Sequence, residues 1–209
     1  MVDERAGAVS RILIVEGTSG VGKSTLIDAL LRRQVEEPKP RTLLRLTQAH
    51  TYGPLAPGED RGDLSVEQNL AHLEEIVGTL EWYARMGKFF AVVDTLHLTH
   101  CYRPGVVRWQ QVEQVDRRLA ALGANMIFVH GSAATLWDRG IWPRREAQFI
   151  TGYARKWGDS LERIHAHFVA EQAAMRELVR RTRLELREIC VDGEVSTYVD
   201  EAYAFWMRG

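Results

Sequence analysis

The stretch Ile14–Leu26 reads IVEGTSGVGKSTL, and its spacing matches GxxxxGK[ST], with Gly17, Gly22, Lys23 and Ser24 at the fixed places. An apolar run precedes it and a helical pattern follows, so context agrees with spelling. Glycines at these positions let successive backbone N–H groups from Gly17, Thr18, Ser19, Gly20, Val21, Gly22, Lys23, Ser24 and Thr25 point inward at phosphate oxygens. The helix that opens near Lys23 adds its positive end. Lys23 supplies a point charge for β- and γ-phosphates, and the Ser24 hydroxyl is the expected Mg²⁺ ligand. The segment predicts a nucleoside triphosphate site.

Outward from this loop, short apolar runs alternate with longer segments of helical period, the pattern of an α/β domain with a parallel sheet. Five strands are expected at Ile12–Val15, Leu43–Leu46, Phe89–Val93, Met126–Val129 and Leu186–Val191. Helices are expected from Lys23 to about Val35, and from Ser65, with Gln68 completing a capping box, to the stop at Gly87. Further helices are expected over Trp109–Leu122, over Ala147–Trp157 and Asp159–Thr182 with a break at Gly158, and over a short segment ending near Trp206. Gln48–Leu64 carries no periodicity and reads as a long irregular loop. The 209 residues are read as one domain.

The third strand ends FFAVVD, which places Asp94 at the carboxyl edge of the sheet, near the phosphate loop. An aspartate there holds Mg²⁺ or takes a proton from an acceptor hydroxyl. Thr95 follows it, where a hydrolytic ATPase usually carries a water-orienting glutamate. None of Lys39, Lys88 and Lys156 lies in an [NT]KxD guanine motif, and no LSGGQ signature is present. These absences favour ATP over GTP, and phosphoryl transfer over hydrolysis. TLWDRGIWPRREAQF then offers Arg139, Arg144 and Arg145 as cations of a lid spanning about residues 138–146.

With 45% hydrophobic and 26% charged residues, the composition is that of a soluble globular chain. The 27 basic and 28 acidic side chains nearly cancel, which argues against a nucleic-acid partner. Cys101 and Cys190 form neither a disulfide framework nor a CxxC metal site. MVDERAGAVSR lacks the apolar length of a secretory signal, and FFAVV is too short to span a bilayer. A cytoplasmic protein without membrane contact is the expectation.

Together, IVEGTSGVGKSTL, AVVDTLHLTHCY, FVHGSAATLWDRGIWPRR and VDGEVS resemble the thymidylate kinase-like and deoxynucleoside kinase branch of the P-loop kinases. The resemblance implies a three-layer fold with a five-stranded parallel sheet in the order 2-3-1-4-5, and ATP with Mg²⁺ as cofactors. It makes Lys23 and Ser24 the ATP and Mg²⁺ residues and Asp94 the base or metal-organising acid. Arg139, with Arg144 or Arg145, becomes the lid cation. Glu16 matches the acid before the loop, with an orienting role near the substrate or a water-mediated one near the metal. Gly193 matches a turn that packs against adenine.

Three departures concern the acceptor. Thr95 stands where thymidylate kinases carry arginine, LTQAHTYGP replaces their phosphate-binding segment after the second strand, and Ser19 stands where many hold a carboxylate. A neutral hydroxyl on a nucleoside-like small molecule therefore fits better than a nucleoside monophosphate. Its pocket is expected to draw on Gln48, Tyr52, Trp82, Tyr83, His97, Tyr102 and Arg103. A nucleoside monophosphate kinase and an ATP-regulated binding protein without phosphotransfer stand as alternatives. The sequence does not decide between monomer and homodimer.

Overall fold

A computed structural model describes residues 11–38, 42–51, 65–87, 89–102, 107–146 and 160–208. Five parallel strands form one sheet: β1 (Arg11–Glu16), β2 (Thr42–Leu46), β3 (Phe89–Asp94), β4 (Asn125–His130) and β5 (Glu185–Cys190). Their order is β2-β3-β1-β4-β5, as expected, and each strand lies within one residue of its expected bounds.

The central strands bury both faces, and the period of two sorts their residues between two cores. On one side Ile12, Ile14, Ala91, Val93, Met126 and Phe128 pack under α3 (Val66–Met86) and α5 (Trp109–Ala121). On the other, Leu13, Val15, Val92, Ile127 and Val129 pack under α1 (Lys23–Glu36) and α8 (Val195–Arg208). The edge strands β2 and β5 are only partly covered.

The best-signalled helix forms as its sequence predicts. Ser65 caps α3: its Oγ accepts from Gln68 N at 3.2 Å and Gln68 Oε1 accepts from Ser65 N at 2.8 Å. Leu73, Ile76, Val77 and Leu80 bury the inner stripe, and α3 ends at Gly87.

Two short helices had no periodic signal: α2 (Gln48–Thr51) in the stretch read as irregular, and α4 (His97–Tyr102) after β3. Four to six residues are too few to establish a period, and both are held by tertiary bonds. After β4, one turn α6 (Ala133–Thr135) runs into a π-helical turn, Leu136–Ile141, and a 3₁₀ turn, Trp142–Arg144. α7 (Leu161–Val179), capped by Ser160, fits the expected helix there. The terminal helix α8 is longer than expected, at 14 residues. The helix expected over Ala147–Trp157, its break at Gly158, and Tyr52 and Arg103 lie outside the described residues. No described helix is long and apolar enough to cross a membrane.

Candidate active site

All five strands point their carboxyl ends at one edge, where ligands of open parallel sheets bind. Pairing of Val15 with Asp94 across β1 and β3 brings the end of β3 beside the loop that leaves β1. That register sets Asp94 next to Gly17–Lys23.

The loop is tight where its glycines demand it. A Cβ on Gly17 would sit 2.4 Å from the Val129 carbonyl oxygen, so β4 and the loop approach as closely as backbone allows. Gly20 has φ +78°, and a Cβ there would meet Gly140 Cα at 2.7 Å. Through this glycine pair the π-helical turn rests directly on the phosphate loop. Gly22, with φ +110°, is the N-cap of α1 and has no side chain to cap the first turn. Ser24 and Thr25 are exposed on the first turn.

Lys23 is buried, and its Nζ donates to the Gly17 and Thr18 carbonyls at 2.8 and 3.0 Å. The hydroxyl of Thr18 donates to the buried carboxylate of Glu171 on α7. From the same helix Gln172 exchanges two bonds with Gly131: Nε2 to the carbonyl at 2.8 Å and the Gly131 N–H to Oε1 at 3.0 Å. α7 therefore braces both the phosphate loop and the turn after β4. Glu171 and Gln172 carried no local signal, since Thr18 and Glu171 lie 153 residues apart.

Asp94 is 8% exposed, and its Oδ1 is buried without a hydrogen-bond partner. Burial pushes its carboxyl above the usual aspartate range, against the opposing pull of Lys23 and Arg45. The next residue, Thr95, is β-branched with φ +59°, a conformation that costs on the order of 1–3 kcal/mol. It is held there by its N–H to the Val15 carbonyl at 2.9 Å and its hydroxyl to the Asp94 carbonyl at 2.6 Å. Thr51 of α2 donates to the same carbonyl at 2.6 Å. Strained backbone thus fixes Asp94, with its unpaired Oδ1, at the strand end beside the loop that leaves β1.

Several expected site residues take other positions. Glu16 is fully buried, and both carboxylate oxygens are committed: Oε1 to Leu96 N at 2.9 Å and Oε2 to the Thr99 hydroxyl at 2.6 Å. It anchors the start of α4 rather than a substrate. His97 is fully buried, with Nε2 3.0 Å from Asp116 Oδ1, so it links α4 to α5 instead of lining a pocket. Burial alone would raise Asp116. Bonds from His97, Thr182 and the Arg183 N–H outweigh it and hold the carboxyl below the usual range. Trp82 sits near the end of α3, and its ring meets Tyr83, which in turn stacks near Phe89 at the start of β3. It belongs to the amino edge of the sheet, opposite the phosphate loop. Gln48 is exposed on α2, beside the Thr51 that binds Asp94.

The lid cations also differ from a set of free arms. Arg139 Nη1 donates to the Val191 carbonyl at 2.7 Å, tying the π-helical turn to the segment after β5. Arg145 stacks over Trp142, 4.4 Å from the ring centre, and donates to the Trp142 carbonyl at 2.9 Å. Arg144 is exposed on the 3₁₀ turn. Gly193 is exposed beyond Val191 with open space around its α-carbon. Burial pushes the Cys101 thiol up to about 12, and no His, Cys, Asp and Glu cluster suited to a metal occurs among the described residues.

The strand order, the loop at the end of β1 and the acid at the end of β3 together decide the architecture. This is the three-layer P-loop NTPase fold. No protein-family model matches the chain, and no curated protein matches it. Among solved structures it is similar to the YorR protein of Bacillus subtilis in complex with phosphorylated GDP. That pair shares 11% identity over 94% of this chain and 95% of the other, with a TM-score of 0.56. APE1195 is similar at 16% identity over 96% of this chain and 97% of the other, TM-score 0.55. The Mycobacterium tuberculosis APS kinase CysC, in complex with AMPPNP and APS, is similar at 15% identity over 96% and 99%, TM-score 0.52.

Proposed function

We propose that this chain is an ATP-dependent phosphotransferase that moves the γ-phosphate to a hydroxyl of a nucleoside-like small molecule. The observation that carries the reading is the unpartnered, buried Oδ1 of Asp94 beside Lys23. A purely structural aspartate would have its oxygens satisfied, as Glu16 does. The nucleotide complexes of YorR and APS kinase, on the same fold, support a nucleotide in this loop.

In this reading the N–H groups of residues 17–25 hold the ATP phosphates, and Lys23 exchanges its loop carbonyls for phosphate oxygens. Gly193 gives the adenine room near the Arg139–Val191 tie. Ser24 and the Asp94 carboxylate are hard oxygen donors that would hold Mg²⁺, and the unpaired Asp94 Oδ1 fits that role. When bound, Mg²⁺ supplies charge neutralisation on the β- and γ-phosphates. The acceptor oxygen bonds to the γ-phosphorus as the bridge to the β-phosphate breaks, its proton passes to Asp94, and ADP leaves. The raised carboxyl of Asp94 suits it to hold that proton.

A neutral acceptor is favoured over a monophosphate. The hydroxyl of Thr95 is bonded to the Asp94 carbonyl, and the nearby Arg45 is paired with Asp28 at 2.8 Å. Incubation with γ-labelled ATP, Mg²⁺ and a panel of nucleosides and other hydroxyl compounds tests the proposal. Label should appear in a phosphate-free acceptor. If ATP binds and every hydroxyl compound stays unlabelled, the chain is an ATP-gated binding protein instead.

A further inference from the structure

A cavity of about 580 Å³ opens at the opposite edge of the sheet from Asp94, lined by Arg11, Gln34, Glu37, Phe90, Tyr203 and Met207 together with Pro38. Arg11 begins β1 and Phe90 lies near the start of β3, whereas the phosphate loop leaves the far end of β1. Gln34 lies eleven positions along α1 from Lys23, about 16 Å along the helix axis. The two places are distinct.

The chemistry of the cavity is specific. Gln34 is 1% exposed, yet its Oε1 has no hydrogen-bond partner. Such an acceptor costs on the order of 1–3 kcal/mol when left unmet. Behind the same wall, Trp206 is fully buried with its Nε1–H unpaired, its ring 5.5 Å from Phe90 and 6.3 Å from Tyr203. Phe90 and Tyr203 contribute the edges of buried rings, 8% and 7% exposed, with the Arg11 guanidinium 5.8 Å from the Phe90 centroid and that of Arg33 4.4 Å from the Tyr203 centroid; the Tyr203 hydroxyl is fixed by donating to Glu37 at 2.8 Å. Arg11 and Glu37 line the cavity with opposite charges, so neither sign of ligand is selected overall. Its volume falls in the range of small-molecule pockets.

We infer that this cavity is a second ligand site, for a neutral planar heteroaromatic compound that donates an N–H to Gln34 Oε1 and packs against the edges of Phe90 and Tyr203. It is independent of the phosphotransfer reading. The probe is indole, with 1-methylindole as the matched compound that lacks the donor. In a titration of the full chain followed by nuclear magnetic resonance, the Trp206 Nε1–H signal, assigned by its loss in Trp206→Phe, should shift and saturate. The expected Kd is about 1 mM or tighter, about tenfold weaker for 1-methylindole or for Gln34→Leu, and unchanged by saturating ATP. Met207→Trp, which fills the cavity from its rim, should abolish the shift while thermal melting shows a folded chain. The inference is overturned if indole gives no saturable shift, if the two probes bind equally, or if ATP displaces indole.

Discussion

Replacing Asp94 with asparagine should make the protein more stable and less active, and the pH at which the stability appears is diagnostic. The carboxyl is 8% exposed, Oδ1 is unpaired, and burial raises its proton affinity. A buried unpaired polar group costs on the order of 1–3 kcal/mol. Removing the charge while keeping the shape recovers about 1 kcal/mol of that, which raises Tm by about 2–4 °C in a chain of this size. The sign follows from linkage. A carboxyl raised in the folded state contributes its full stability below the unfolded value, near 4, and loses it as pH rises through the folded value. Wild type and Asp94→Asn should therefore melt together near pH 4, and the mutant should pull ahead as pH climbs toward 7. Calorimetric melts across that range, paired with phosphoryl-transfer rates at pH 7, measure both effects. A mutant of lower Tm at pH 7, or a gap that does not change with pH, refutes the assignment of Asp94 as an unsatisfied buried carboxylate. Unchanged turnover refutes its place in the reaction.

Lys23→Ala removes the charge beside Asp94 and should lower kcat/KM for transfer by about a hundredfold or more, measured with labelled ATP. Gly20→Ala forces a left-handed backbone on alanine and drives a Cβ into Gly140, costing about 2 kcal/mol. Its Tm should fall by about 4–8 °C, and a melt within 1 °C of wild type would contradict the glycine contact. Glu16→Ala leaves Leu96 N and the Thr99 hydroxyl without their acceptor. A loss of about 2–3 kcal/mol in denaturant unfolding is expected. Trp82→Ala lies at the far edge of the sheet on an exposed side chain and should leave turnover within about twofold; a larger loss would return Trp82 to the substrate site.

The glycine-rich loop between β1 and α1, the place of Asp94 at the end of β3 and the capping box at Ser65 were legible in the sequence because each is a local code. Glycine spacing sets backbone conformation within a few residues, and alternating apolar residues set which strand faces are covered. The roles of Glu16, His97 and Trp82 were not legible in the same way. Each is a polar or aromatic residue near a motif, a pattern equally compatible with a pocket or a packed interior. Trp82, in the last turns of α3, adjoins the amino end of β3, and Asp94 closes its carboxyl end, so the length of one strand separates them.

By itself the sequence determined the order of elements, the glycine-rich turn after the first strand and an acid at the end of the third strand, since these depend on neighbours along the chain. The tertiary structure decided which charges are spent and which remain available. Glu16 is satisfied by residues 80 and 83 positions away, Thr18 by one 153 positions away, and Arg139 by a carbonyl 52 positions away. Whether a buried polar atom is paired depends on what packing brings within about 3 Å, and no stretch of sequence holds that information. The same packing left Asp94 Oδ1 buried and unpaired toward one edge of the sheet and Gln34 Oε1 buried and unpaired toward the other.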